Sequence, residues 1–476
     1  MSPLSIRALL LLACAVLGSE ARGSGETPVR GLTAGDRVAG AYHAVLDADD
    51  DRLPAVIAET CPPAPGEACL MLDALATWWQ ILLDPESRTL DDTFLLEVDA
   101  AVAAAEAWTV REPERAEAFF YLGAASGARA QWRVLRGERL AAAREGKRIK
   151  EALERALVLD PTLSDAHFGI GLYRYYAGVA PAGLRMLRWL FLLPGGDRQG
   201  GLAQIAEARE RGTLIRGEAD YQLHLIYLWY EKRFAEAARL IEGLQARHPR
   251  NPLFFVAEAE IADIYLHEPT SALRAAEDLL ARSEAGVMNA RPLAEAQAHF
   301  LMTGYLDQLS ETDRALTHAQ WVVSRAPAQP LGIAARASVL AARLRARLAR
   351  EPYRLGLEGW RALEGGNLDV AMDRLARSVA LDPSDAVARY RYALVLIARD
   401  ELTAARAELE RTVSGPTTPP VTRCAAHVAL ARLLADRGDR AGALQHYEAA
   451  AQVFGADPRV KREAAREAER LRHHLH

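Results

Sequence analysis

The chain has 476 residues, half of them hydrophobic and a quarter charged, with 58 basic against 63 acidic side chains and a net charge of -5. This is the composition of folded protein and argues against disorder. The two signs are interspersed, so no basic face exists to recruit nucleic acid, and a mean hydropathy of -0.08 is too polar for a multi-span membrane protein. Only Lys147, Lys150, Lys232 and Lys461 are lysine. Such Arg-heavy, Ala-rich usage is associated with GC-rich bacterial genomes.

In chain order, the first segment is an address. Ala8 to Gly18 is almost wholly apolar and is followed by Ser19, Glu20 and Arg22. A run of that length is too short to cross a bilayer and matches a secretory signal over 1–21, cleaved after Ala21. A second reading stays open: Leu11-Leu12-Ala13-Cys14 resembles a bacterial lipobox, in which Cys14 is lipidated and tethers the protein to a membrane. Both readings export the chain to the periplasm or outer membrane. A linker, 22–35, precedes a helical region at 36–110, with three or four helices broken at Cys61–Cys69 and near Asp84-Pro85. Cys61 and Cys69 bracket a Pro-rich loop. They form a disulfide in an oxidising compartment or stay as two free thiols. Asp47, Asp49, Asp50 and Asp51 lack the glycine turn of a calcium loop and read as a solvated helix end.

Residues 111–350 read as degenerate and enlarged helical repeats, with 331–350 a helix rich in Ala, Leu and Arg. Their most apolar stretch, Ala182 to Leu193, includes Trp189 and Phe191. At twelve residues it is too short to span a membrane. It reads as a buried helix, or as a contact with a partner or membrane surface that puts Arg185 and Arg188 near headgroups. Glu260, Asp263 and His267 stand at i, i+3 and i+7. On a regular α-helix they share a face and offer metal-type ligands; the plainer reading is a solvated polar stripe. No Gly-x-Ser-x-Gly, phosphate loop or His-Glu-x-x-His occurs, so no catalytic residue, cofactor or metal is assigned.

Residues 351–454 are regular. Gly359 precedes Ala371 by 12, Ala393 precedes Ala405 by 12, and Ala431 precedes Ala443 by 12, with Leu375, Leu409 and Tyr447 each 4 later. Ala371 to Ala405 is a step of 34 residues and Ala405 to Ala443 a step of 38, the excess fitting the turn Gly415–Pro420. Small residues at that spacing let two antiparallel helices approach closely. Pro383 ends a helix and Ser384-Asp385 starts the next. Cys424 sits in an apolar helical pattern and reads as core. The last segment, 455–476, is polar and suits a helix capping an open end.

These three units resemble the tetratricopeptide repeat family. Upstream the pattern is patchier: Gly123 and Gly171 fall at small positions, Leu159-Asp160-Pro161 closes a unit some 14 residues too long, and Ala237, Ala272 and Ala315 mark degenerate units. The resemblance implies an all-α, right-handed superhelical solenoid whose first helices line a concave groove for a protein or peptide. Carried over by position, the groove is Tyr353, Trp360 and Glu364, then Tyr390, Leu394 and Ile397, then Val428, Arg432 and Asp436. Gly356 and Trp360 stand where chaperone-tail binders of the family carry a Lys and an Asn, so a carboxylate clamp is not expected. The expectation is a non-catalytic envelope scaffold binding a protein partner. The alternatives are an assembly or export factor for envelope polymers contacting glycan or membrane, and an enzyme on a helical scaffold. Truncating Trp360 is expected to weaken binding without unfolding the chain.

Overall fold

The computed structural model describes residues 30–179, 196–325 and 331–475. The signal region with Cys14, and the stretch carrying Trp189 and Phe191, lie outside them. Among the described residues there are 22 α-helices, two π-helical segments and no strand, so the fold is all-α. No described helix is long and apolar enough to cross a membrane.

Four helices open the chain: α1 (Gly35–Leu46), α2 (Leu53–Thr60), α3 (Gly66–Leu83) and α4 (Asp91–Arg111). Packed pairs follow: α5 (Ala116–Leu135) with α6 (Arg139–Leu159), and α7 (Ala166–Val179) with α8 (Arg198–Arg211). Next come α9 (Arg216–Ile226) with α10 (Phe234–Arg247), α11 (Pro252–Glu260) with α12 (Pro269–Glu284), and α13 (Arg291–Gln308) with α14 (Thr312–Ser324). α15 (Leu331–Leu348) packs on α14. The regular pairs are α16 (Glu351–Glu364) with α17 (Leu368–Leu381), α18 (Ala386–Ala398) with α19 (Leu402–Ser414), and α20 (Pro420–Asp436) with α21 (Arg440–Gln452). α22 (Pro458–Leu475) covers α21.

Local chemistry explains the regular pairs. A Cβ on Gly359 would lie 2.7 Å from Leu375 Cγ, closer than any side chain tolerates. Ala371, Leu375, Ala405, Leu409 and Ala443 are fully buried at the same seams. The turn after α16 places Gly366 at φ 75°, and Asn367 then accepts from the Val370 N–H to start α17. Asp385 and Asp439 cap α18 and α21 in the same way. The enlarged pair α5–α6 has no additional helix between its members. Leu135–Lys147 is the end of α5, a turn at Gly137 (φ 82°), and the start of α6, so the excess length goes into both helices.

The N-terminal helices do not form a core of their own. One buried apolar cluster runs from Val38 in α1 to Ile261 after α11. Trp79 of α3, 2% exposed, packs 5.1 Å from Tyr221 of α9 and 6.1 Å from Phe254 of α11, centroid to centroid. Backbone carbonyls at the helix ends are taken up by distant amides: Asn251 donates to Leu46 (2.8 Å), Asn289 to Asp47 (2.9 Å) and Gln297 to Leu83 (2.7 Å). Several of these attachments fall on α9, α11 and α13, the first helices of successive pairs. Helices α1 and α3 therefore lie along the first-helix side of the degenerate repeats.

The regular units fold back on those repeats. Arg391 of α18 donates to Ser310 O (3.2 Å) and Glu311 (3.0 Å) in the turn between α13 and α14. Arg361 of α16 bonds Glu311 and Asp313. Further along, Arg274 of α12 bonds Asp457 at 2.9 Å, and Phe454 meets the His267 ring edge-on at 5.5 Å.

Candidate functional site

The groove residues derived from the repeat pattern divide into two groups. Tyr353 and Trp360 are engaged within the chain. The Tyr353 hydroxyl shares a 2.6 Å hydrogen bond with Thr312 Oγ1. The Arg391 guanidinium lies 5.0 Å over the Trp360 ring, and the buried Trp360 Nε1–H has no acceptor. Trp360 is thus a packing residue of the fold-back contact, and its truncation should disturb the fold, contrary to the expectation from sequence. The physical reason is a long-range contact: Arg391, 80 positions from Glu311, and Arg361 converge on the Glu311 carboxylate, and Trp360 lies under the Arg391 guanidinium. Glu364 is exposed and pairs with Arg361 at 2.6 Å.

Tyr390, Leu394 and Ile397 on α18 are half-buried, with Tyr390 and Ile397 packed against Leu409 and Leu430. Val428 is core, clustered with Cys424, Ala431 and Tyr447. Arg432 is exposed and bonded to Glu463 of α22 (2.9 Å), and Asp436 is exposed at the end of α20. Along α18 and α20 the first-helix face is therefore partly open, with an apolar centre and a charged edge.

A second feature had no sequence signal. Between the N-terminal helices and the first helices of the repeats lies a cavity of about 1440 Å³. Its described walls come from α1, α3, α5, α6, α7, α9, α11, α13 and α15. Most are apolar, but one side holds a buried polar network. Trp79 Nε1 donates to Tyr42 Oη (3.3 Å), Tyr42 donates to Glu218 Oε2 (2.8 Å), and Gln131 donates to Glu218 Oε1 (3.1 Å). Burial pushes the Glu218 carboxyl above the usual range and the Tyr42 phenol well above its own. Nearby, burial holds the His224 imidazole down to about 4, so it is neutral at ordinary pH. The network ties α1, α3, α5 and α9 together through hydrogen bonds that join elements distant in sequence.

The Glu260, Asp263, His267 stripe is dispersed. Ile261–Tyr265 is a π-helical segment, which widens the turn and breaks the i, i+3, i+7 register. Glu260 faces the large cavity, Asp263 accepts from Gln308 Nε2 (3.0 Å), and His267 sits at φ 56° against Phe454. Among the described residues, no three His, Cys, Asp or Glu side chains stand together as metal ligands. Cys61 and Cys69 are joined by a disulfide linking the end of α2 to the first turn of α3, and Cys424 is a buried free thiol. Of the aspartates at 47–51, Asp47 accepts from His248 at 3.0 Å.

Two histidine pairs also escaped the sequence. His299 and His318 meet Nδ1 to Nδ1 at 2.7 Å across α13 and α14, with the His299 ring stacked on Trp321. His427 and His446 meet at 2.9 Å across α20 and α21, at the same separation of 19 residues. Burial first, and the second imidazole after it, holds His299 and His427 down to about 4.

No protein-family model matches the chain, and no curated protein matches it. Among solved structures it is similar to yeast Tom70, at a TM-score of 0.35 and 12% identity over 79% of this chain and 66% of that one, just under two thirds. The TPR domain of P58(IPK) gives a TM-score of 0.29 and 14% identity, covering 80% of this chain and 94% of that one. The APC/C hetero-tetramer Cut9-Hcn1 gives 0.25 and 12%, covering 90% and 95%. Likenesses of this size place no site or partner here. On its own helix order and packing, the chain is an all-α helical-repeat protein whose regular units have tetratricopeptide-like length and seams.

Proposed function

We propose that this chain is a non-catalytic scaffold of the bacterial cell envelope that holds a protein or peptide partner against the first-helix face of α18 and α20. The observation that carries this reading is the contrast along that face: Tyr353 and Trp360 are taken up by contacts within the chain, whereas Leu394 on α18 stays half-open and Arg432 and Asp436 on α20 are exposed. A rigid, preformed face with an apolar centre and a polar rim lowers the ordering cost of association. Export is supported by the apolar run at 8–18 and by the Cys61–Cys69 disulfide, which persists in oxidising compartments. The mass of the exported chain separates lipidation at Cys14 from cleavage after Ala21.

The test is capture of envelope proteins on the purified chain and on Leu394→Asp. The expected result is a specific captured protein whose retention falls ~10-fold in the variant, with native circular dichroism. Equal retention by both would remove α18 from the binding face.

A further inference from the structure

The large cavity is the feature that a protein scaffold does not need. At about 1440 Å³ it exceeds the usual range of small-molecule sites, ~300–1000 Å³. Its walls also hold much of the molecule's exposed apolar surface. Val134, Leu140, Trp229, Tyr230 and Ile264 line it and are 63%, 54%, 58%, 44% and 55% exposed. Large apolar side chains scattered singly over a surface are ordinary, but several lining one open cavity mark a binding site.

The polar end of the cavity has a definite chemistry. Glu86 and Arg336 pair at 3.5 Å, and Arg336 also lies 4.9 Å over the Phe300 ring, so its charge is already engaged. Gln297 donates through Nε2 to Leu83 O, which leaves its buried Oε1 without a donor. Glu260 presents an accessible carboxylate into the cavity while protein surrounds it, and that burial raises its pKa. This end therefore offers acceptors in excess of donors. A free carboxylate or phosphate at this end would meet Glu86 and Glu260, and the cation among them, Arg336, is already paired with Glu86; Arg139 at the start of α6 also lines the cavity. A hydroxylated head group would donate to the accessible Glu260 carboxylate and leave its tail on Val134, Leu140 and Ile264.

We infer that the cavity binds a long-chain amphiphile with a neutral, hydroxyl-bearing head group, that is, a lipid of the monoacylglycerol type and not a fatty acid or an anionic phospholipid. This site is separate from the α18–α20 face and does not depend on it. Two substitutions probe it without touching the core. A Cβ at Gly127, which lines the cavity, meets nothing within 4 Å, so Gly127→Trp fills the space from a helical position. Ile264→Asp places a charge on an exposed wall residue.

The experiment uses the full exported chain after detergent-free delipidation, with Nile red as reporter and 1-monooleoylglycerol and oleate as competitors at pH 8. The expected result is saturable Nile red binding, displaced by 1-monooleoylglycerol at a concentration at least tenfold below that of oleate. Gly127→Trp and Ile264→Asp should each lower Nile red affinity at least tenfold while circular dichroism stays native. Glu260→Gln should narrow the preference over oleate. No saturable binding, or binding unchanged in whichever of the two wall variants remains folded, would overturn the site. Equal displacement by oleate would overturn the head-group assignment.

Discussion

The degenerate repeats and the regular repeats expose the same side of their helix pairs to different fates. Along α5 to α13 the first helices are covered by the chain's own N-terminal helices, through Trp79, the Tyr42–Glu218 network and the amides of Asn251, Asn289 and Gln297. Along α16 to α20 the cover is confined to the turn at Ser310–Asp313, which takes Arg361 of α16 and Arg391 of α18 and leaves Leu394 half-buried and Arg432 and Asp436 exposed. Regular spacing survives where each pair need only fit its neighbours. Where the pairs must also fit four additional helices and a cavity, helix lengths grow and π-helical segments appear. Departure from the repeat pattern here marks the added packing.

The largest expected effect breaks the covered side. Trp79→Ala should destabilise the chain by about 3 to 5 kcal/mol, the cost of removing a buried aromatic. Urea unfolding measures it, and a loss under 1 kcal/mol would mean that α3 does not hold α9 and α11. Second, Glu311→Ala leaves buried Arg391 without its carboxylate and should cost about 3 kcal/mol. Hydrogen exchange should then rise at 308–313 and along α16 and α18 while α5–α9 stay protected. Third, reducing the Cys61–Cys69 bond should cost about 2 to 3 kcal/mol on the loop-entropy model, read as a lower melting temperature in dithiothreitol.

The fourth effect is on pH dependence. His299 and His427 are held to about 4 in the fold against an ordinary 6.5. Between those values the unfolded chain binds protons that the folded chain refuses, so their contribution lowers stability as pH falls from 6.5 towards 4 and is level below that. Glu218 and Glu260, raised by burial, act in the opposite sense, since the fold favours their protonated forms. Replacing His299 and His427 by Gln should flatten the acid limb of a melting-temperature profile. An unchanged profile would show that the two pairs are not held neutral. The smallest effect belongs to the second regular unit: Leu394→Asp, which puts a charge at a half-buried position, should cost about 1 kcal/mol, read by urea unfolding.

How much was legible in the sequence follows from the range of each contact. The seam Gly359–Leu375, the turn at Gly366 and the caps at Asp385 and Asp439 are set by residues within 16 positions, and the pattern reads directly. The helix breaks at Cys61–Cys69 and Asp84-Pro85 are visible for the same reason. The cover over the degenerate repeats is not, because Tyr42 meets Glu218 across 176 positions and Asp47 meets Asn289 across 242. No periodicity encodes such a pairing. The fold-back of Arg391 onto Glu311 is equally silent, which is why Trp360 reads as groove in the sequence and sits in a contact in the structure. The π-helical segment at Ile261–Tyr265 spoils the apparent ligand stripe because a register drawn at 3.6 residues per turn does not continue through it.

The contrast between the covered and open sides is tested most directly by a photo-crosslinking residue placed, in separate chains expressed in the native host, at Leu394 on α18 and at Leu75 on the α3 wall of the cavity. A protein adduct from position 394, with none from position 75, is the predicted result. Protein adducts from position 75 and none from position 394 would contradict it, since the partner would then enter the side that the N-terminal helices close.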